Sequence, residues 1–112
     1  MEGFVKGRVI VVPFPFSDLS ASKKRPALVV GTIEGEDVIL CQITSKTKKD
    51  NYSIQLSDKD FKEDGLKIDS MIRPNRLFTA EKPLILYRVG LINDNKIKEV
   101  EDVLVKIIRS WL

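Results

Sequence analysis

The run Lys23-Lys24-Arg25-Pro26-Ala27-Leu28-Val29-Val30 constrains this chain more than any other. A basic cluster passes into a β-branched apolar run without a break. Pro26 fixes its own φ and has no N–H to give to a ladder, so it suits the first residue of a strand or an edge position. It also drives Arg25 out of the helical region into an extended conformation. Arg25 is thereby held at the mouth of a strand that enters the core. A guanidinium on a stiff strand end is suited to gripping a phosphate through two parallel hydrogen bonds. An ordinary surface ion pair is the alternative use of such a side chain.

The same alternation of apolar runs and turn residues continues along the chain. Val9 to Val12 form a strand ended by Pro13 and Pro15, and Ser17 to Lys24 form a polar loop. Ala27 to Thr32 and Asp37 to Ile43 are two strands joined by a turn at Glu34-Gly35-Glu36. Thr44 to Asn51 is a second polar loop, and Tyr52 to Leu56 a short strand. Ser57 to Asp64 fits a helix of one or two turns, with Ser57 as N-cap and Gly65 as stop. Extended stretches follow over Leu66 to Arg73, Arg76 to Ala80 and Leu84 to Ile92, separated by Pro74-Asn75 and Glu81-Lys82-Pro83.

The one long helix runs from Asn93-Asp94 up to Trp111, with Asp94 as N-cap. Ile97, Val100, Val103, Leu104, Ile107, Ile108 and Trp111 make its apolar face. Several short strands and a C-terminal amphipathic helix predict a mainly β fold. The expected form is a small, bent, partly closed antiparallel barrel in a single domain over residues 1–112. The exposed edges of so small a sheet favour dimerisation.

Composition narrows the chemistry. The chain has no histidine, which removes the commonest general base, the commonest metal ligand and the usual nucleophile triads. No zinc pattern, phosphate-binding glycine loop or nucleotide fingerprint is present, so neither a metal nor a cofactor is expected. The single cysteine, Cys41, lies in an apolar run and reads as a small buried hydrophobe in a reducing, cytoplasmic setting. No apolar run approaches the about 18 residues of a membrane span, and the first residues lack the layout of a signal peptide. A net charge of +3 permits a nucleic-acid partner without requiring one.

Two loops carry groups that seek phosphate. The first offers Lys23, Lys24 and Arg25; the second offers Thr44, Ser45, Lys46, Lys48 and Lys49. If Ala27–Thr32 and Asp37–Ile43 are antiparallel neighbours, Arg25 and Thr44 face each other at one end of the sheet. Ser70, Arg73 and Arg76, around the Pro74-Asn75 bend, are a third contribution. Asp64 or Asp69 could instead pair with those arginines.

Gly-Arg-Val at Gly7, Lys-Arg-Pro-Ala-Leu-Val-Val from Lys24, Gln-Ile-Thr-Ser from Gln42, Asp-Gly-Leu and Asp-Ser-Met-Ile-Arg-Pro from Asp64 and Asp69, then Gly90 and a terminal helix follow in this order. The pattern resembles the MazF/PemK-like toxin family over nearly the whole chain. The resemblance implies an SH3-like barrel acting as a homodimer. It implies a metal-independent endoribonuclease toxin of a type II toxin–antitoxin system, cutting single-stranded RNA at a defined sequence and held inactive by a cognate antitoxin. The family's catalytic arginine falls on Arg25, its catalytic threonine on Thr44, and its serine near the RNA groove on Ser70. The loop Ser17–Lys24 and the segment after Thr44, which vary in such proteins and set the cleavage sequence, leave the RNA motif unspecified.

That chemistry suits the residues. RNA supplies its own nucleophile, the 2′-hydroxyl. Attack on the adjacent phosphorus yields a 2′,3′-cyclic phosphate and a 5′-hydroxyl. Arg25 and the Thr44 hydroxyl are donors for the charge that develops on the phosphoryl oxygens. Two other readings remain. A gyrase-binding toxin of the CcdB type would use the C-terminal Trp111 and Leu112. A barrel that binds nucleic acid without cutting it would use the same basic loops.

Overall fold

The computed structural model of the protein describes residues 4–14, 23–45 and 50–110. Phe16, most of the Ser17–Lys24 loop, Lys46, Lys48, Lys49 and Trp111 therefore lie outside the described residues. Seven strands make one antiparallel sheet: β1 (Arg8–Phe14), β2 (Lys23–Thr32), β3 (Asp37–Thr44), β4 (Ile54–Leu56), β5 (Phe61–Asp64), β6 (Ser70–Glu81) and β7 (Tyr87–Ile92). Their order is β4-β6-β3-β2-β1-β7-β5, so β2 and β3 lie at the centre. One helix, α1 (Asp94–Ile108), follows. The sheet curls into a half-barrel, in keeping with the mainly β expectation. None of the described helices is long and apolar enough to cross a membrane.

Alternation along the strands gives the sheet two apolar faces. On one, Val9, Leu28, Cys41, Ile43 and Ile72 are buried beneath α1, which contributes Val100 and, partly buried, Ile97, Val103 and Leu104. On the other, Ile10, Val12, Ala27, Val29, Val38 and Leu40 are buried with Phe78, Ala80 and Ile85 against them. Each fully buried aliphatic side chain contributes about 1.5–3 kcal/mol, so both faces carry the fold. Cys41 is one of these core residues, and burial pushes its thiol up to about 12. A thiol in that state is inert, as expected of a structural cysteine.

Several boundaries differ from the sequence reading. β2 begins at Lys23, and Pro26 lies inside the strand, opposite Val11 of β1. Pairing with β3 starts only at Ala27↔Gln42, so Pro26 sits just beyond that ladder and takes no part in it. Likewise β1 continues through Pro13, opposite Lys24. The helix expected over Ser57–Asp64 is a single 3-10 turn at Asp58–Asp60, followed by β5. Long-range pairing of Phe61–Asp64 with β7 overrides the local helical signals. The break expected at Pro74-Asn75 is a bulge within one long β6. Cys41 pairs with Leu77 and Gln42 with Arg73, leaving residues 74–76 without partners on β3.

The N-cap of α1 is Asn93 rather than Asp94: its side chain accepts a hydrogen bond from the Lys96 N–H at 2.9 Å. Ile108 is 72% exposed. At 3.6 residues per turn it lies within about 20° of Ile97, so α1 keeps its apolar face but its last turn runs past the sheet.

Arg73 pairs with neither Asp64 nor Asp69. Its Nη2 lies 3.3 Å from Oδ2 of Asp50. The Asp50 Oδ1 accepts the N–H groups of Tyr52 at 2.9 Å and Ser53 at 2.7 Å. Those two backbone donors, aided by Arg73, hold the Asp50 carboxyl down at about 2. Asp50 thus ties the approach to β4 onto β6.

Two predictions follow from these contacts. A Cβ on Gly90 would stand 2.7 Å from the Glu63 carbonyl oxygen and 2.8 Å from the Phe61 ring. Gly90→Ala should therefore cost about 1–3 kcal/mol, read as a lower urea midpoint. Asp50 is held below its ordinary value, so its contribution is present above pH about 4 and fades as pH falls toward 2. Asp50→Ala should be less stable than wild type at pH 7, and the two melting curves should converge near pH 2.

Candidate active site

The central ladder decides which polar groups meet. β2 and β3 pair Ala27↔Gln42, Leu28↔Cys41 and Val29↔Leu40. Continuing that register by two residues sets Arg25 opposite Thr44, with both on the same side of the sheet. On the far side of β3, Thr44 pairs with Met71 and Ile43 with Ile72 of β6. One further step brings Ser70 beside Ser45. Two registers thus gather Arg25, Thr44, Ser45 and Ser70 at one end of the sheet.

A cleft of about 320 Å³ opens there. It is lined by Lys24, Arg25 and Pro26 from β2, Ile43, Thr44 and Ser45 at the end of β3, and Leu66, Lys67, Ile68 and Ser70 before and at the start of β6. Cations come from both β2 and the segment before β6, with the hydroxyls of Thr44, Ser45 and Ser70 beside them. The Nε of Arg25 is buried and has no hydrogen-bond partner among the described residues, as is also true of the Nε of Arg8 and Arg73; of these three arginines, Arg25 is the one that lines the cleft. A buried donor left unsatisfied costs about 1–3 kcal/mol, which a bound anion would recover. Arg25 has no ion pair among the described residues either, so the surface-pair alternative finds no support there.

Ser70 is 6% exposed, and its hydroxyl donates to the Ile68 carbonyl oxygen at 2.9 Å. Its proton is committed to the segment before β6, and only its lone pairs remain for a ligand.

Of the residues singled out in the sequence, Lys24, Arg25, Thr44, Ser45 and Ser70 line this cleft. Lys23 is exposed at the start of β2 and does not line it. Arg73 is engaged by Asp50, and Arg76 is exposed in the β6 bulge; neither lines it. Lys46, Lys48 and Lys49 lie outside the described residues. The sequence reading missed Leu66, Lys67 and Ile68. Their only signal was position, between the Asp-Gly at Asp64-Gly65 and the Asp-Ser at Asp69-Ser70.

A larger concavity, about 680 Å³, lies between Phe4–Lys6, Val30–Gly35 and Lys82. Its lining includes Lys6, Lys82 and Thr32 but no arginine, Glu34 offsets one of the cations, and Lys6 is held by Glu101 at 2.5 Å.

Comparison with known proteins agrees with this architecture. No curated protein sequence matches the chain. Among solved structures, an endoribonuclease in complex with its cognate antitoxin, from a mycobacterial species, superposes with a TM-score of 0.74 at 13% identity, covering 96% of this chain and 98% of that one. The Mycobacterium tuberculosis toxin MazF-mt6 superposes at 0.72 and 13% identity, covering 93% and 99%. A MazE–MazF structure from Deinococcus radiodurans gives 0.72 at 15% identity, covering 92% and 94%. At such identities these likenesses speak for the fold. The sequence itself matches the family described as PemK-like, MazF-like toxin of type II toxin–antitoxin system over residues 5–108. With that match running nearly end to end, the chain belongs to the PemK/MazF-like toxin family.

Proposed function

We propose that the chain, as one toxin domain over residues 1–112, is a metal-independent endoribonuclease that cuts single-stranded RNA in the cleft between Arg25, Thr44 and Ser70. The observation that carries this reading is the meeting in one cleft of Arg25, whose buried Nε has no hydrogen-bond partner among the described residues, with Thr44, Ser45 and Ser70. An anion seated there would meet a guanidinium and a hydroxyl in one plane of approach.

The reaction needs little else from the protein. The 2′-oxygen of the ribose attacks phosphorus, losing its proton, and the bond from phosphorus to the 5′-oxygen breaks as that oxygen gains one. The products are a 2′,3′-cyclic phosphate and a 5′-hydroxyl. Negative charge builds on the two non-bridging oxygens during attack. Arg25 and Thr44 act by stabilising that charge, from fixed positions on central strands rather than on loops. Lys24 and Lys67 on the cleft walls draw the RNA backbone in. Lys23 and Ser45 extend that surface in this reading, and Lys46, Lys48 and Lys49, outside the described residues, are further candidate RNA contacts. Arg73 acts at one remove, through Asp50, and Arg76 is available to RNA outside the cleft.

The partners follow from the family and its chemistry. A cognate antitoxin, of the kind that accompanies two of the similar structures, would cover the basic cleft with an acidic or apolar segment that orders on binding. A second copy of the chain completes the toxin. Leu84, Leu86 and Tyr87, at 50%, 47% and 53% exposure, are an apolar surface that suits such contact. The cytoplasm, where the RNA and the lone thiol both belong, is the assigned compartment.

The test is incubation with a long single-stranded transcript in EDTA. Discrete fragments with 5′-hydroxyl ends are expected. Arg25→Ala should lower the rate about 100-fold or more while leaving the fold intact, and Thr44→Ala should lower it less. Arg25→Lys should not rescue fully, because an ammonium cannot make the two parallel bonds. A transcript left intact by folded wild-type protein, or cut equally by Arg25→Ala, refutes the reading.

A further inference from the structure

Beside Lys67, the cleft has one exposed side chain whose chemistry the phosphate reaction does not use. Residues 65–69 connect β5 to β6, and Ile68 within them is 65% exposed while lining the same cleft as Arg25 and Thr44. An isolated exposed isoleucine needs no explanation. Here, however, the backbone that carries it is held from three sides. Asp64 has a φ of 54°, unusual for any residue but glycine, and turns the chain out of β5. Leu66 packs against the core beneath α1. The Ser70 hydroxyl is bonded to the Ile68 carbonyl itself at 2.9 Å. The branched apolar side chain is thus presented, at a fixed place, on the rim of an otherwise polar and cationic cleft.

We propose that Ile68 is a nucleobase platform, a specificity-determining residue that seats the base of a nucleotide flanking the cut while Arg25 and Thr44 hold its phosphate. This rests on the ribonuclease reading of the site. A nucleotide is an anion joined to a flat, largely apolar ring, and this cleft offers a cationic, hydroxyl-bearing wall facing an apolar rim. At about 320 Å³ it lies at the lower end of the range for small-molecule sites, about 300–1,000 Å³, which suits a single nucleotide better than a length of peptide. Apolar contact with a base face tolerates many sequences but rewards ring area and shape. The preference at one position beside the cut is therefore assigned to residues 65–69, beyond what the loops after β1 and β3 contribute.

The experiment maps the 5′ ends left on a long single-stranded transcript by wild type, Ile68→Ala and Ile68→Leu, with kcat and KM measured on a short RNA spanning a mapped cut. Exposure of Ile68 makes loss of folding a minor concern, and a thermal melt checks it. Ile68→Ala should lower kcat/KM about tenfold, chiefly through KM, and broaden the preference at one position only. Ile68→Leu should keep most of both. Replacing the base at that position by an abasic residue should abolish the difference between wild type and Ile68→Ala. Unchanged site preference and KM in Ile68→Ala overturn the inference, as does a variant that cuts normally but resists inhibition by an antitoxin segment. Wild-type protein that leaves the transcript intact overturns the ribonuclease reading and this inference together.

Discussion

The register between β2 and β3 is the constraint on which the site depends. These are the two central strands, and each is buried on both faces, so a one-residue slip would exchange side chains between two differently packed cores. Leu28 and Cys41 lie beneath the helix while Ala27, Val29 and Leu40 lie on the opposite face. That packing holds Ala27 against Gln42, and just past the end of this ladder Arg25 and Thr44 line one cleft. The proposed catalytic pair thus lies at the point where the core ends and the strands reach water. A second ladder, between β3 and β6, brings the start of β6 to the same end of the sheet, where Ser70 lines the cleft.

This construction explains why so plain a set of side chains could suffice for catalysis. A chain without histidine has few means of moving protons near neutral pH. Phosphoryl chemistry on RNA lessens the need, since the substrate brings its nucleophile and the barrier responds chiefly to charge on the phosphoryl oxygens. What the protein must provide is rigidity: donors whose positions are settled before the RNA arrives. Strand ends on a doubly buried ladder meet that requirement better than loops would. The unsatisfied Arg25 Nε fits the same account, since a donor kept dry and unpaired costs stability in the free protein and favours an anionic ligand.

Much of this was legible in the residues. Pro26 and the apolar run after it marked a strand, the Gly35 turn marked its hairpin partner, and counting from that turn brought Arg25 and Thr44 to one end of the sheet, while the bulge at Val30 that shifts the register by one residue gave no sign. The helix showed itself through its spacing. What failed was local signal overruled from a distance. Ser57, Asp58 and Asp60 start a helical turn, yet pairing of Phe61–Asp64 with β7 converts the rest to strand. Pro13 and Pro26 looked like strand ends because their missing donors were weighed without knowing where each ladder stops. Asp64 and Asp69 were the carboxylates nearest Arg73 in sequence, and only the fold shows that Asp50 is the one that pairs with it. The apolar rim at Ile68 carried no motif at all; the Ser70 bond and the turn at Asp64 give it a place.

The most direct test of the central claim is a crystal structure with a short RNA made uncleavable by removal of the 2′-hydroxyl at the cut. The account predicts a phosphate seated between the Arg25 guanidinium and the Thr44 hydroxyl, with the Arg25 Nε now bonded to a phosphoryl oxygen. RNA bound instead along the concavity between Lys6, Gly31 and Lys82, with the Arg25 cleft unoccupied, would contradict it.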